Sequence, residues 1–140
     1  MSLAEEFAVR YAGLRQAYGT FTANNETRED GKASGKNITI SKELSDTDLL
    51  KLWEDHLSGR QSVGIVAIDE HNKCVWGAID VDEYQLDLKA LAIKIAKQKL
   101  PLVLCRSKSG GAHIYLFLTE PITASMLQRK LRQLAAAIGY

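Results

Sequence analysis

Apolar and polar positions recur with two different periods along this chain, and the changes of period mark its elements. Leu3, Phe7, Tyr11, Leu14 and Tyr18 lie at helical spacing, which predicts an amphipathic helix ending near Gly19. Residues 20–35 turn polar, with Asn24, Asn25, Glu26, Arg28, Asp30, Gly31, Lys32 and Ser34, and predict a mobile loop. Weak alternation over 37–41 predicts a short strand. Ser45 or Asp46 then caps a helix carrying Leu49, Leu50, Leu52, Trp53 and Leu57, and Gly59 closes it. Residues 62–69 and 73–82 predict two strands around a Glu70-His71-Asn72 turn. A helix with Leu88, Leu91, Ala92 and Ile95 on one stripe follows, stopped by Pro101. Residues 102–106 predict a strand, 107–111 a turn, and 112–118 a strand whose even positions are apolar. Thr123 caps a last helix bearing Leu127, Leu131, Leu134 and Ile138, with Gly139 at its C-terminal end.

This order is an α+β plan in which helices cover one face of a sheet and leave the other open. The alternations in the two best-defined strands agree on the division. If Ile79, Val81, Ile114 and Leu116 face the helices, then Asp80, Asp82, His113 and Tyr115 share the open face. Asp80 and Asp82, two apart on a strand, have Cα atoms about 7 Å apart and point the same way. Two facing carboxylates repel unless something positive lies between them, either a hard divalent cation such as Mg²⁺ or Mn²⁺ or a basic side chain. The plain alternative is a strand-end pair beside Glu83 that makes turns and salt bridges. For His113 the plain alternative is a sheet histidine with its hydrogen bonds met. Trp76, Tyr115 and Phe117 serve equally as base-stacking or as packing residues.

Composition narrows the setting. With 140 residues, 46% of them apolar, the chain is long enough for one core and is expected to fold as one unit. It has no apolar run of membrane-spanning length, and Glu5 and Glu6 close behind Met1 do not resemble a signal peptide, so a cytoplasmic protein is expected. Cys74 and Cys105 lie in strand-like runs without metal or redox spacing and are expected as reduced thiols. The net charge of +1 conceals an asymmetry: beyond Leu88, nine Lys and Arg residues are opposed only by Glu120. Such a segment is either a phosphate-binding surface or a set of solvated helix faces.

At Val75-Trp76-Gly77-Ala78-Ile79-Asp80-Val81-Asp82 and Ser107-Lys108-Ser109-Gly110-Gly111-Ala112-His113-Ile114-Tyr115 the sequence resembles the archaeo-eukaryotic primase superfamily, the primase-polymerases of plasmids, phages and mobile-element conflict systems. The first phrase matches its apolar-Asp-x-Asp motif and the second its histidine-bearing motif. His56-Leu57-Ser58-Gly59 adds to the likeness, which covers about residues 53–140. The resemblance implies an RRM-like antiparallel or mixed sheet with helices on one face over 61–140; the periodicity before it predicts a helical N-terminal segment with a polar loop, 1–60, packed on that core. The resemblance also implies a DNA primase/polymerase module that adds nucleotides from nucleoside triphosphates to a single-stranded DNA template. Asp80 and Asp82 would hold Mg²⁺ or Mn²⁺, and His113 would contact the triphosphate. Ser107, Lys108, Ser109, Gly110 and Gly111 would supply further phosphate contacts, with Arg106 as a clamp or an outer-face charge. A helicase or other replication domain in the same or a neighbouring chain is an implied partner.

The sequence departs from the family pattern in two places. Many members carry Ser-x-His, where this chain has Gly111 two before His113. The family also has a third carboxylate on a strand after the last helix, so the chain is expected to be the N-terminal part of a longer catalytic domain, weakly active alone. The rival reading is a non-catalytic RRM-like domain that binds single-stranded nucleic acid. A metal-dependent nuclease is a third.

Overall fold

The computed structural model describes residues 1–29, 31 and 33–140, so Asp30 and Lys32 of the polar stretch lie outside the described residues. The chain forms two compact units, Met1–Asn72 and Lys73–Tyr140, where composition predicts one, because each gathers apolar side chains of its own. Among the described residues the architecture is α+β, with four helices and two three-stranded antiparallel sheets. Among the described residues, no helix is long and apolar enough to cross a membrane.

The first unit contains α1 (Leu3–Arg10), β1 (Tyr18–Thr27), β2 (Ala33–Ile40), α2 (Asp46–Leu57) and β3 (Gly64–Ile65), with sheet order β2-β1-β3. Ser2 and Glu5 form a reciprocal capping box at the start of α1, and Ser45 and Asp48 form another on α2. Trp53 packs against Phe7 and Tyr11, with ring centroids 5.3 and 5.5 Å away, and joins the two helices. The helical spacing continues past Arg10 in sequence but not in structure. Gly13 lies so close to the Val66 carbonyl that a Cβ would sit 2.1 Å from its oxygen, and Leu14 donates its N–H to the same oxygen at 2.9 Å. That bond takes the backbone out of the helix, and Tyr18 enters β1 instead.

The loop expected over 20–35 gives way, among the described residues, to the paired strands β1 and β2. β1 pairs with β2 from Tyr18↔Ile40 to Thr27↔Ala33, with an irregularity between Ala23 and Thr27. Residues 22–27 are exposed, so the ribbon has no buried face to impose an apolar alternation. The strand expected over 62–69 shrinks to Gly64–Ile65 and pairs with β1 rather than with the strand that follows it. Beyond Gly64, the Ser62 hydroxyl continues this pairing: it accepts from the Phe21 N–H at 2.6 Å and donates to the Phe21 carbonyl at 2.9 Å.

The second unit contains β4 (Lys73–Val81), α3 (Leu88–Lys97), β5 (Val103–Arg106), β6 (Ala112–Thr123) and α4 (Ala124–Ala137), close to the elements expected from periodicity. The strand order is β4-β6-β5, a split β-α-β arrangement with β6 antiparallel to both neighbours. Val81, Ala112 and Ile114 pack with Leu91 and Ile95 of α3 and with Ile138. Cys74 and Leu116 pack with Leu127 and Leu134 of α4. The pairing is irregular between Cys74 and Trp76, where β6 advances from Phe117 to Ile122 against two positions of β4, and Cys74 joins the core. Gly77 admits α4 close to the sheet: a Cβ there would lie 2.7 Å from Leu131. Both helices therefore cover one face.

Candidate active site

Antiparallel pairing fixes which side chains share the other face. Asp80 is opposite His113 across β4 and β6, and His113 is opposite Cys105 across β6 and β5, so the three form one row. His113 Nε2 stands 3.5 Å from Asp80 Oδ1, with the two side chains 44% and 71% exposed. A contact between side chains this accessible adds little stability. Its significance is positional, because it places an imidazole beside a carboxylate. The next row along the sheet is Ala78, Tyr115 and Val103, and Trp76 pairs with Phe117 beyond it. Tyr115 meets the His113 ring edge-on at 6.2 Å and stacks with Phe117 at 5.8 Å.

Asp82 follows one residue after the end of β4, separated from Asp80 by the buried Val81. The hairpin turn after β5 closes against this point. The Ser107 N–H donates to the Gly111 carbonyl at 3.0 Å, the Gly110 N–H donates to the Ser107 carbonyl at 3.2 Å, and Gly110 takes φ +92°. Gly111 lies against Val81, where a Cβ would be 2.0 Å from the carbonyl oxygen. No serine fits in this backbone, which accounts for the glycine two before His113. The turn is thereby seated against the stretch of backbone that joins the two acids. The next residue, Glu83, interacts with Tyr140, whose hydroxyl is held above its ordinary pKa by burial first and then by the charge and hydrogen bond of Glu83.

The turn does not present every predicted phosphate contact equally. Ser107 is buried, with its Oγ 3.3 Å from that of Ser109, and the Gly110 N–H is already engaged within the turn. Ser109 is half-buried and Lys108 exposed. Arg106 pairs with Ala112, which faces the helices, so it alternates onto the side away from Asp80 and His113. Cys105 was missed as a neighbour of His113. The alternation of Val103 and Cys105 against Leu102 and Leu104 carries that signal, but cysteine in an apolar run reads as core.

Two carboxylates, an imidazole and a glycine turn converge at one end of a helix-backed sheet. A family model described as "TOTE conflict system, Archaeo-Eukaryotic Primase domain" matches residues 4–138. The chain belongs to this family. Comparison with curated protein sequences gives no match. Membership in the primase-domain family extends the likeness from the motif region to nearly the whole chain, including the helix and paired strands of the first unit. It also carries primase-type nucleotidyl transfer as the activity of the superfamily.

Among the described residues, no three His, Cys, Asp or Glu side chains gather in a way that could hold a metal ion. The primase-domain acids still suit a divalent cation of the Mg²⁺ type. Asp80 and Asp82 are hard oxygen donors at an exposed strand end, and Mg²⁺ is commonly held by one or two carboxylates together with water and substrate phosphates.

Proposed function

We propose that this chain carries out divalent-metal-dependent nucleotidyl transfer from nucleoside triphosphates on a nucleic acid template, with Asp80, Asp82 and His113 as its working residues. The pairing of Asp80 with His113 across β4 and β6 carries this reading, because it sets a cation-binding oxygen and a phosphate-binding imidazole within one ligand's reach. Asp80 and Asp82 would hold Mg²⁺ or Mn²⁺. When bound, such ions neutralise triphosphate charge and stabilise the attacking and leaving oxygens. His113, beside Asp80 and Tyr115, would offer an imidazole N–H to the triphosphate. Ser109 and Lys108 provide a hydroxyl and an ammonium from the turn. Phosphoryl transfer asks mainly for positioning and charge stabilisation, and this arrangement supplies both.

The stacked rings of Tyr115 and Phe117, with Trp76 at 6.2 Å from Tyr115, favour a second reading, an RRM-like domain that binds single-stranded nucleic acid without catalysis. Calorimetric titration of a nucleoside triphosphate in Mn²⁺ separates the two. The wild-type chain is expected to bind in a metal-dependent way, and Asp80→Asn/Asp82→Asn and His113→Ala are expected to lose that binding. If no triphosphate binds while oligonucleotide binding persists in all three proteins, and strengthens where the acids are neutralised, the second reading replaces the first.

A further inference from the structure

The helical layer of the second unit is cationic. α4 carries Arg129, Lys130 and Arg132 and no carboxylate, and α3 carries Lys89, Lys94 and Lys97 and no carboxylate. The helices of the first unit are mixed, with Glu5 and Glu6 on α1 and four acids on α2. Lys94 donates to the Ile138 carbonyl at 3.2 Å, which places the C-terminal ends of α3 and α4 side by side. Arg129, Lys130 and Arg132 are exposed, and none forms an ion pair among the described residues. Leu127, Leu131 and Leu134 hold the opposite side of α4 against the sheet, so these cations point away from the face that carries Asp80 and His113.

We infer that the outward side of α4 is a second nucleic acid contact, which grips the sugar–phosphate backbone without reading bases. The outward surface of α4 presents Ser125, Gln128, Arg129, Arg132, Gln133 and Ala136 along one side of the helix. This surface combines cations with neutral hydrogen-bond donors, the side chains that contact phosphate and sugar in nucleic acid complexes. Met126, exposed beside Arg129 and Lys130, and the half-buried Ile122 are the large apolar side chains at its edge, and no aromatic or aliphatic cluster fills its centre as in a protein interface. Charge and side-chain composition together favour a phosphate backbone over an acidic protein. The choice of nucleic acid also draws on the proposed function, since a templated reaction must hold a long polyanion while the acidic end of the sheet repels it.

The test is the salt dependence of binding to a fluorescein-labelled oligothymidylate, followed by anisotropy. Arg129→Gln/Lys130→Gln/Arg132→Gln is expected to flatten the slope of log affinity against log salt by about 2, at about 0.7 per lost single-strand phosphate contact. Arg129→Lys/Arg132→Lys is expected to keep the slope. Mn²⁺-dependent triphosphate binding is expected to be unchanged in the glutamine variant, and its ellipticity reports that it is folded. An unchanged slope overturns the inference, as does polyglutamate competing as well as oligothymidylate, which would make the partner an acidic protein. Loss of the slope in a chain that binds no triphosphate sustains the α4 contact and removes the proposed function, so the two fail separately.

Discussion

Gly110 and Gly111 are adjacent, yet the structure asks different things of them. Gly110 has a positive φ with open space around it, so an added methyl group meets a conformational cost alone. At Gly111 the methyl group meets the Val81 carbonyl oxygen. Gly110→Ala is expected to cost about 1 kcal/mol and Gly111→Ala up to about 3 kcal/mol, read from urea denaturation midpoints. The second substitution also pushes the turn away from the backbone that joins Asp80 and Asp82, so it should weaken triphosphate binding where the first does not. Equal midpoints for the two variants would refute the close seating of the turn. The sequence shows two glycines in a hairpin; that they divide strain and contact between them depends on a neighbouring strand, which the local pattern cannot display.

The elements of the second unit follow their periodicity because one face of each is buried against the other layer. Ala112, Ile114 and Leu116 are nearly inaccessible, and the residues between them are not, so β6 and the placement of His113 were legible. The ribbon of β1 and β2 was not. Its side chains over 22–27 are exposed, its threonines and asparagines serve loops equally well, and its order comes from main-chain pairing that leaves no mark on hydropathy. The caps of α1 and α2 lie between these extremes, since a serine followed three residues later by an acid is a local signal. At α2 the Ser45 hydroxyl, then its backbone N–H, holds the Asp48 carboxyl below its ordinary pKa of 3.8. The folded state thus favours the ionised form, and the stabilisation is present above 3.8 and disappears as pH falls through the depressed value. Thermal midpoints of wild type and Asp48→Asn should differ most near neutrality and converge in acid. A gap that persists unchanged in acid would show that the cap does not act through ionisation.

At the scale of the whole molecule, the two units hold unequal cores and one tryptophan each, Trp53 in the first and Trp76 in the second. The first unit buries few apolar side chains beyond its aromatic cluster, whereas the second packs two groups of them against one sheet. In Trp76→Phe, fluorescence reports the first unit alone and ellipticity reports both. The fluorescence midpoint in urea is expected below the ellipticity midpoint, and coincident curves would mean that the units unfold as one. The sheet of the second unit has a further consequence. Its order, β4-β6-β5, leaves one side of β4 without a strand partner among the described residues. Such an edge is a template on which a second copy can add a strand, and a carboxylate at Asp80 on β4 opposes this. The acid proposed to draw in a cation is thus expected to oppose self-association too, so neutralising it should change how the chain meets its own copies as well as how it meets a ligand.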